Sequence, residues 1–304
     1  MKKIFLCLIF IYFSHILVAQ NAQDSLYTYA QALAKMKKET QALVTISKHI
    51  NAYPKDAKGY FLKGSLEFKT GNALQAEADF STAISLKKNY FEAYFNRAAV
   101  RIGMTKYGEG KNDLSYILYQ NPNIPLVWHE RGKLYTQLAM PDSALYDFSQ
   151  ALVLKPELEE AQSLSATIYF QKKEYQKAKQ YALNAHKINP SNEKTLVTLS
   201  EIYFLDNQYT TAMPYFDERL RLNPYDWNGF LMRAKIYFEQ KQYQKSKEDL
   251  EKIIEKEKNN PETYFYLAKI YYELKNLKEA CLHLKKSIAL NFNDAKKLEK
   301  KYCD

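Results

Sequence analysis

The sequence predicts an all-helical solenoid, and three observations support this prediction. The 304 residues include only 8 glycines and 9 prolines but 26 tyrosines and 16 phenylalanines, a composition that favours long helices with heavy aromatic packing. The chain also aligns with itself at a period of 34 residues. Two columns of that alignment hold a small residue in every row, as two helices that cross at close range require.

The 34-residue period divides residues 23–294 into eight rows without an insertion. The rows begin at Gln23, Ala57, Phe91, Pro125, Glu159, Glu193, Trp227 and Pro261. Within a row the apolar residues recur at spacings of three and four, as at Leu196, Leu199 and Ile202. Each row is therefore predicted to form two amphipathic helices of about a dozen residues, joined by a short turn.

Small, aromatic and proline residues each keep to fixed columns. Column 8 reads Ala30, Gly64, Ala98, Gly132, Ala166, Ser200, Ala234 and Ala268, and column 20 reads Ala42, Ala76, Gly110, Ala144, Ala178, Ala212, Ser246 and Ala280. Column 11 is tyrosine in the last five rows, and column 32 is proline in five rows. Because proline lacks an N–H and disfavours helix in the preceding residue, column 32 is predicted to end each second helix.

This pattern resembles the tetratricopeptide repeat over residues 23–294. The resemblance implies a right-handed superhelix in which the first helix of each repeat lines a concave groove. Rows 1 and 3 depart most from the family pattern, with His49 and Ile117 in place of alanine at column 27, and Glu67 and Arg101 replace the aromatic residue at column 11 in rows 2 and 3. Residues 295–304 are predicted to form a capping helix that covers the open end of the stack.

The N-terminal residues predict a secretory signal peptide. Lys2 and Lys3 precede an apolar stretch from Ile4 to Ala19, which is short for a membrane span. We expect residues 1–19 to be the signal peptide, residues 20–22 a short linker, and the mature protein to be exported to the periplasm or the medium without a transmembrane segment. An uncleaved anchor is the alternative interpretation.

The formal net charge of +10 raises the possibility of a nucleic-acid partner. The lysines alternate with glutamates along predicted helices, however, as between Lys245 and Lys252. That arrangement is typical of a solvated helix face, and nucleic acid is therefore the disfavoured partner.

Two cysteines remain in the predicted mature chain, Cys281 and Cys303. They flank a predicted helix turn near Asn293 at similar distances, which brings them to about the same height in an antiparallel helix pair. We predict a disulfide that fastens the cap, with two reduced and buried thiols as the alternative.

The sequence shows no pattern typical of a catalytic, cofactor or metal site. His129 and Glu130 begin a zinc-protease motif, but Lys133 stands where the second histidine is required. Gly103 and Gly108 have the spacing of a phosphate-binding loop, but Glu109 occupies the place of its lysine. We therefore predict a protein that is not an enzyme and needs no cofactor.

The resemblance also implies which columns face the groove, namely 2, 5, 9, 12 and 13. The candidate partner-binding residues in these columns are Phe68, Phe95, Phe170, Phe204, Leu231, Phe238, Phe265, Tyr272, Lys235 and Lys269. Packing within the repeat is the alternative role of these aromatic residues. Column 5 contains no lysine, so the terminal-carboxylate clamp of heat-shock co-chaperones in this family is not expected here.

The predicted function is a non-catalytic scaffold of the bacterial cell envelope that binds a peptide or a helical segment in its groove. The alternative is a module for glycan or peptidoglycan, in which the groove aromatics would stack on sugar rings.

Overall fold

The structure is a computed structural model that describes residues 25–303, and this part of the chain contains helices and turns but no strand. The predicted signal peptide (1–19) and linker (20–22) lie outside the described residues. The chain divides into two compact units, of which unit 1 ends at Pro156 and unit 2 begins at Glu157. No helix of residues 25–303 combines the length and the apolar character that crossing a membrane requires.

The described part of unit 1 is a series of helix pairs, one for each predicted row. The pairs are α1 (25–35) with α2 (Glu39–Ala52), α3 (Ala57–Lys69) with α4 (Ala73–Leu86), α5 (Phe91–Gly103) with α6 (Tyr107–Gln120), and α7 (Pro125–Gln137) with α8 (Pro141–Leu154). We call the first helix of each pair the A helix and the second the B helix.

Unit 2 repeats this arrangement and ends in a cap. Its pairs are α9 (Glu159–Gln171) with α10 (Tyr175–Ile188), α11 (Glu193–Leu205) with α12 (Tyr209–Leu222), α13 (Trp227–Glu239) with α14 (Tyr243–Lys256), and α15 (Pro261–Glu273) with α16 (Leu277–Ala289). Two short helices follow, α17 (Asn293–Lys296) and α18 (Glu299–Cys303).

The A helices of unit 2 form one continuous layer. They pack on one another in sequence, α9 on α11, α11 on α13, and α13 on α15. Each B helix packs on the A helix of its own pair and on the next one along, as α10 does on α9 and α11. In unit 1 the B helices pack in the same way, as α4 does on α3 and α5, and as α6 does on α5 and α7. The prediction of an all-α solenoid of helix pairs is confirmed within each unit.

The two small-residue columns meet where the helices of a pair cross. The Ser246 hydroxyl donates a hydrogen bond of 2.7 Å to the carbonyl oxygen of Ala234, which joins column 20 to column 8. A Cβ atom on Gly110 would lie 3.2 Å from the carbonyl oxygen of Ala98, its partner across the crossing. Larger side chains are excluded from these columns because the two backbones are too close.

The turn inside each pair places the column 15 residue in the left-handed backbone region. These residues are Lys37, Gly71, Thr105, Ala139, Lys173, Asn207, Lys241 and Lys275. In the α13–α14 turn the amide of Lys241 donates to the carbonyl of Phe238, and the amide of Gln242 donates to the carbonyl of Tyr237. This bonding satisfies carbonyl groups that the helix end would leave without partners.

Buried ion pairs join columns 7 and 23 in several helix pairs. They are Lys63 with Asp79, Arg97 with Asp113, Arg131 with Asp147, and Arg233 with Asp249, at 2.7–2.8 Å. The arginines also reach the preceding B helix, as Arg131 does by donating to the Ser115 hydroxyl at 3.0 Å. In α9–α12 tyrosines replace the ion pairs: Tyr181 stacks on Tyr169, and Tyr215 stacks on Tyr203.

Arg101 departs from the aromatic pattern of column 11 because it belongs to a local charge network. Its guanidinium donates to Glu77 at 2.7 Å and to Asp113 at 2.9 Å, and Lys106 also binds Glu77. At the other departure in this column, the Glu67 carboxylate accepts a hydrogen bond of 2.7 Å from Asn72 in the following turn.

The C-terminal cap consists of two short helices instead of the single helix expected over residues 295–304. A tighter turn separates them, in which the Leu298 amide donates to the carbonyl of Ala295. Ala295 and Tyr302 are buried and cover the end of the core beside α15 and α16. The sulfur atoms of Cys281 and Cys303 are bonded, which links α16 to α18.

Candidate functional site

The candidate partner-binding residues fall into two groups because the chain has two units. Unit 1 contains Phe68 and Phe95, and unit 2 contains the other eight.

In unit 1, Phe95 lines an apolar cavity of about 460 Å³. The cavity is bordered by residues of α3, α5 and α6 and by residues around the start of α7: Phe61, Phe91, Glu92, Phe95, Asn96, Ile117, Ile124, Leu126 and Val127. Its walls are mainly aromatic and aliphatic, with the Glu92 carboxylate and the Asn96 amide as polar groups. Phe68 lies outside the cavity lining, on the exposed side of α3.

In unit 2, three predicted phenylalanines belong to a periodic set of ring pairs. Each column 12 phenylalanine contacts a tyrosine at column 17, the first residue of the B helix. The pairs are Phe170 with Tyr175, Phe204 with Tyr209, and Phe238 with Tyr243, at centroid distances of 5.5, 5.9 and 5.6 Å. All six side chains are partly exposed. We call these six residues the aromatic strip.

Sequence reasoning missed the tyrosines of the aromatic strip, although the signal was present. Column 17 also holds Tyr107, so tyrosine recurs there in four of the eight rows. The strip is electrostatically linked to the A helices. The hydroxyl of Tyr209 lies near Glu239 on α13, and burial together with that carboxylate raises the pKa of Tyr209.

The last repeat presents its predicted aromatic residues differently. Tyr272 is stacked under Tyr302 of the cap, with the ring centroids 4.1 Å apart and the rings almost parallel. Phe265 contacts Phe292, which immediately precedes α17, at 5.1 Å. Leu231 is only 6% exposed and belongs to the core, so it offers almost no surface to a partner.

The two predicted lysines occupy the same column in successive repeats but have different surroundings. Lys235 on α13 forms an ion pair of 2.7 Å with Glu262 on α15. The Lys269 ammonium group instead lies over aromatic rings, 4.3 Å from the centroid of Phe238 and 4.9 Å from that of Tyr266. Burial lowers the pKa of Lys269, an effect that nearby Glu239 and Glu273 oppose.

Tyr266 is the ring shared by both lysines. The Lys235 ammonium lies 5.5 Å from its centroid, and Phe238 meets it edge-on at 5.8 Å. Burial, with a contribution from Glu262, raises the pKa of Tyr266 to about 12. The phenol is therefore neutral at physiological pH and acts as an aromatic wall of the site.

Across residues 25–303, His, Cys, Asp and Glu side chains form no group of three that could hold a metal ion. The arrangement in unit 2 is instead a surface of partly exposed rings with two fixed ammonium groups. Such a surface is suited to contact with another macromolecule, because aromatic side chains contribute large contact areas at small entropic cost.

Comparison with known proteins identifies the repeat. A family model described as "Tetratricopeptide repeat" matches residues 57–90 and 159–192, which are the second and fifth predicted rows. A second model, described as "Anaphase-promoting complex, cyclosome, subunit 3", matches residues 205–287.

Several solved structures share the fold at low sequence identity. A tetratricopeptide repeat protein from Parabacteroides merdae ATCC 43184 is 20% identical, with a TM-score of 0.54 over 82% of this chain and 99% of that one. The structure of pilF of Pseudomonas aeruginosa is 18% identical, with a TM-score of 0.61 over 73% of this chain and 99% of that one. YrrB, described as a TPR protein with an unusual peptide-binding site, is 17% identical, with a TM-score of 0.53 over 60% of this chain and 95% of that one.

The 34-residue helix pairs, their two small-residue crossings and the match of the repeat model to residues 57–90 and 159–192 lead to one conclusion: this chain contains tetratricopeptide repeats.

Proposed function

We propose that this protein is a non-catalytic scaffold that holds a peptide or helical segment of another protein against the A-helix face of unit 2. Tetratricopeptide repeat proteins bind protein or peptide partners, and YrrB is described as having a peptide-binding site. The observation that carries the proposal for this chain is the aromatic strip. Its three ring pairs recur at the repeat spacing and remain partly exposed.

The spacing of the strip suits an elongated ligand. Adjacent phenylalanines of the strip lie on neighbouring A helices, which pack directly on one another. A peptide that crosses α9, α11 and α13 would meet one ring pair per repeat. Rigid aromatic anchors of this kind often account for most of the binding energy of an interface.

A double variant tests the proposal. A random peptide library is selected on the full chain, and the enriched peptides are measured against Phe204→Ala combined with Phe238→Ala. We expect at least about tenfold weaker binding, because loss of two interface anchors typically costs more than 1 kcal/mol each. Circular dichroism checks that the variant is folded.

The matched control is Tyr225→Ala combined with Leu282→Ala, which removes two exposed apolar side chains outside the strip. Peptide binding is expected to remain unchanged in this control. Equal loss in both double variants, or enriched peptides that bind the strip variant as well as the wild type, would contradict the proposal.

We further propose that the protein acts in the cell envelope after export. The basic and apolar N-terminal sequence supports export, and the bonded cysteines suit an oxidising compartment. Fractionation of the native host with N-terminal sequencing tests this proposal. We expect an envelope or secreted protein that begins at Gln20; an intact leader on a cytosolic protein would contradict it.

A further inference from the structure

The Lys269 ammonium group occupies a cage of three aromatic rings between two A helices. Phe265 and Tyr266 lie on the same helix, α15, and Phe238 lies on α13. The distances from Nζ to the ring centroids are 5.7, 4.9 and 4.3 Å, respectively. Phe238 also belongs to the aromatic strip, so the cage adjoins the surface assigned above to the partner.

Lys235, in the same column, has an ion-pair partner and serves as a comparison. It lies on the same face one repeat earlier, and its ammonium is paired with Glu262. Within residues 25–303 the Lys269 ammonium group forms no hydrogen bond and no ion pair. Glu239 and Glu273 act on it only as more distant charges, and Glu273 also interacts with the Tyr243 hydroxyl.

The cage attracts the charge but offers it no hydrogen-bond acceptor, and the half-buried ammonium group remains open to solvent. An ammonium group has three N–H donors, and aromatic rings attract a cation but replace hydrogen-bond acceptors poorly. The lowered pKa of Lys269 agrees with this geometry, since burial outweighs the nearby carboxylates. A carboxylate of a partner would supply charged acceptors in place of water and would gain a cation already fixed in position.

The rings also restrict what can carry that carboxylate. A ligand that reaches Lys269 must pass along Phe238, Phe265 and Tyr266, whose contact surfaces are apolar. A segment that combines an acidic group with neighbouring aliphatic or aromatic side chains is therefore favoured over a strongly hydrated polyanion.

We propose that Lys269 is an anion-binding subsite of the A-helix face, where it pairs with a carboxylate carried by an otherwise apolar segment of the partner protein. This inference rests on the proposed function and specifies the chemistry of the partner. Lys235, already paired within the protein, contributes no equivalent subsite.

Nuclear magnetic resonance of lysine labelled at Cε with ¹³C tests the subsite directly in the full chain. The probe is 3-phenylpropionate, and its uncharged amide is the matched control ligand. We expect the carboxylate to shift the Lys269 signal and to raise the pKa of that group, while the amide leaves both unchanged. Lys269→Met identifies the signal and retains an unbranched side chain in the cage.

The Lys235 signal serves as an internal control and is expected to stay fixed. Equal shifts at Lys235 and Lys269 would show non-specific binding and overturn the proposal. A Lys269 signal that does not shift even at carboxylate concentrations high enough to saturate a weak site would also overturn it.

Acidic peptides separate this inference from the proposed function. Among the peptides enriched on the wild type, replacement of Asp and Glu by Asn and Gln should weaken binding about tenfold or more, and Lys269→Met should remove the difference. Peptides whose binding depends on the strip but is unaffected by the Asp and Glu replacements and by Lys269→Met would overturn the subsite. The scaffold function would then still stand. If 3-phenylpropionate shifts the Lys269 signal but no peptide binds the strip, the subsite stands and the scaffold function is overturned.

Discussion

The Nε2 atom of His49 donates a hydrogen bond of 2.8 Å to a carboxylate oxygen of Asp56, and ten residues after His49 the chain has Gly59. The same relationship recurs between Arg219 and Asp226, followed by Gly229. In both places a large polar residue replaces the alanine expected at column 27. The aspartate binds it and caps the next A helix. Gly59 leaves room for the His49 ring, whereas Gly229 leaves room for the Asp226 carboxylate.

Gly59→Ala is expected to destabilise unit 1 by about 1–3 kcal/mol, because overpacking forces neighbouring groups to shift. The new Cβ would lie 2.8 Å from the Ile50 side chain and 2.9 Å from the His49 ring. Urea denaturation followed by circular dichroism measures the loss. Adding His49→Ala should recover part of it by emptying the space beside the new methyl group; strictly additive losses would contradict the relationship.

Asp56→Ala removes both the acceptor for buried His49 and the side-chain cap of α3. We expect a loss of about 3 kcal/mol in the free energy of unfolding, from an unsatisfied buried donor and a missing N-cap. Asp206→Ala, at an exposed position after α11, is the control and should change stability by less than about 0.5 kcal/mol. Similar losses in both variants would count against this role.

Removing one partner of the Arg131–Asp147 pair should lower the free energy of unfolding more than replacing both partners together. Arg131→Leu leaves the fully buried Asp147 carboxylate without its partner and is expected to cost about 3–5 kcal/mol at neutral pH. Combining it with Asp147→Tyr reproduces the Leu199 and Tyr215 combination of α11 and α12. The double variant should therefore be more stable than Arg131→Leu, as measured by urea denaturation, and the opposite order would refute this interpretation.

The Arg131→Leu loss should also depend on pH. Burial already raises the pKa of Asp147, and the Arg131 guanidinium opposes that rise. Without the arginine the folded-state pKa rises further, so the destabilisation is full at neutral pH and decreases as the pH falls through that pKa. Denaturation at neutral and mildly acidic pH, compared with the wild type, checks the sign; a loss that grows on acidification would contradict it.

Lys241→Gly is expected to stabilise unit 2 by about 0.5–1 kcal/mol. Lys241 has a φ of 59°, a conformation that is unfavourable for a side chain and natural for glycine. The preceding residue, Gln240, has a φ of −81°, so Gln240→Gly provides the matched control and should not stabilise. Thermal denaturation distinguishes the two, and an equal effect of both glycines would exclude the backbone explanation.

Loss of the Cys281–Cys303 disulfide should lower the stability of unit 2 by about 3 kcal/mol, because the bond closes a loop with a sequence separation of 22 residues. The variant carries serine at both positions. Reductant should destabilise the wild type and leave the double variant unchanged. Peptide mass analysis without reduction is the direct check, and free thiols in protein isolated from the native host would contradict the bonded state.

The fold was largely predictable because tight helix crossings leave a strong periodic signal. Ala166 and Ala178 mark such a crossing in the sequence, and both are fully buried in packed α9 and α10. The His49 and Arg219 arrangements were not predicted. Each depends on an aspartate seven positions later and a glycine ten positions later, and neither residue by itself indicates such a contact. The resemblance placed Leu231 on the groove side, but it contributes to the core because its helix also packs on α14.

The candidate site was predicted only in part. Columns 9 and 12 identified Phe204, Phe238 and Lys269, but a column pattern does not reveal which ring pairs with which. Tyr209 and Tyr243 joined the site only through the turn that brings the first residue of each B helix back to its A helix. Likewise, the difference between paired Lys235 and caged Lys269 depends on Glu262, which has no counterpart in the next repeat.

Site-specific photo-crosslinking in the native host tests the central claim most directly. A photoreactive phenylalanine analogue replaces Phe204 or Phe238 on the strip, and Tyr225 or Leu282 as controls. We predict a covalent adduct with a segment of another protein from the strip positions and none from the controls. Adducts that form equally from all four positions, or strip adducts that contain glycan and no protein, would contradict a protein-binding A-helix face.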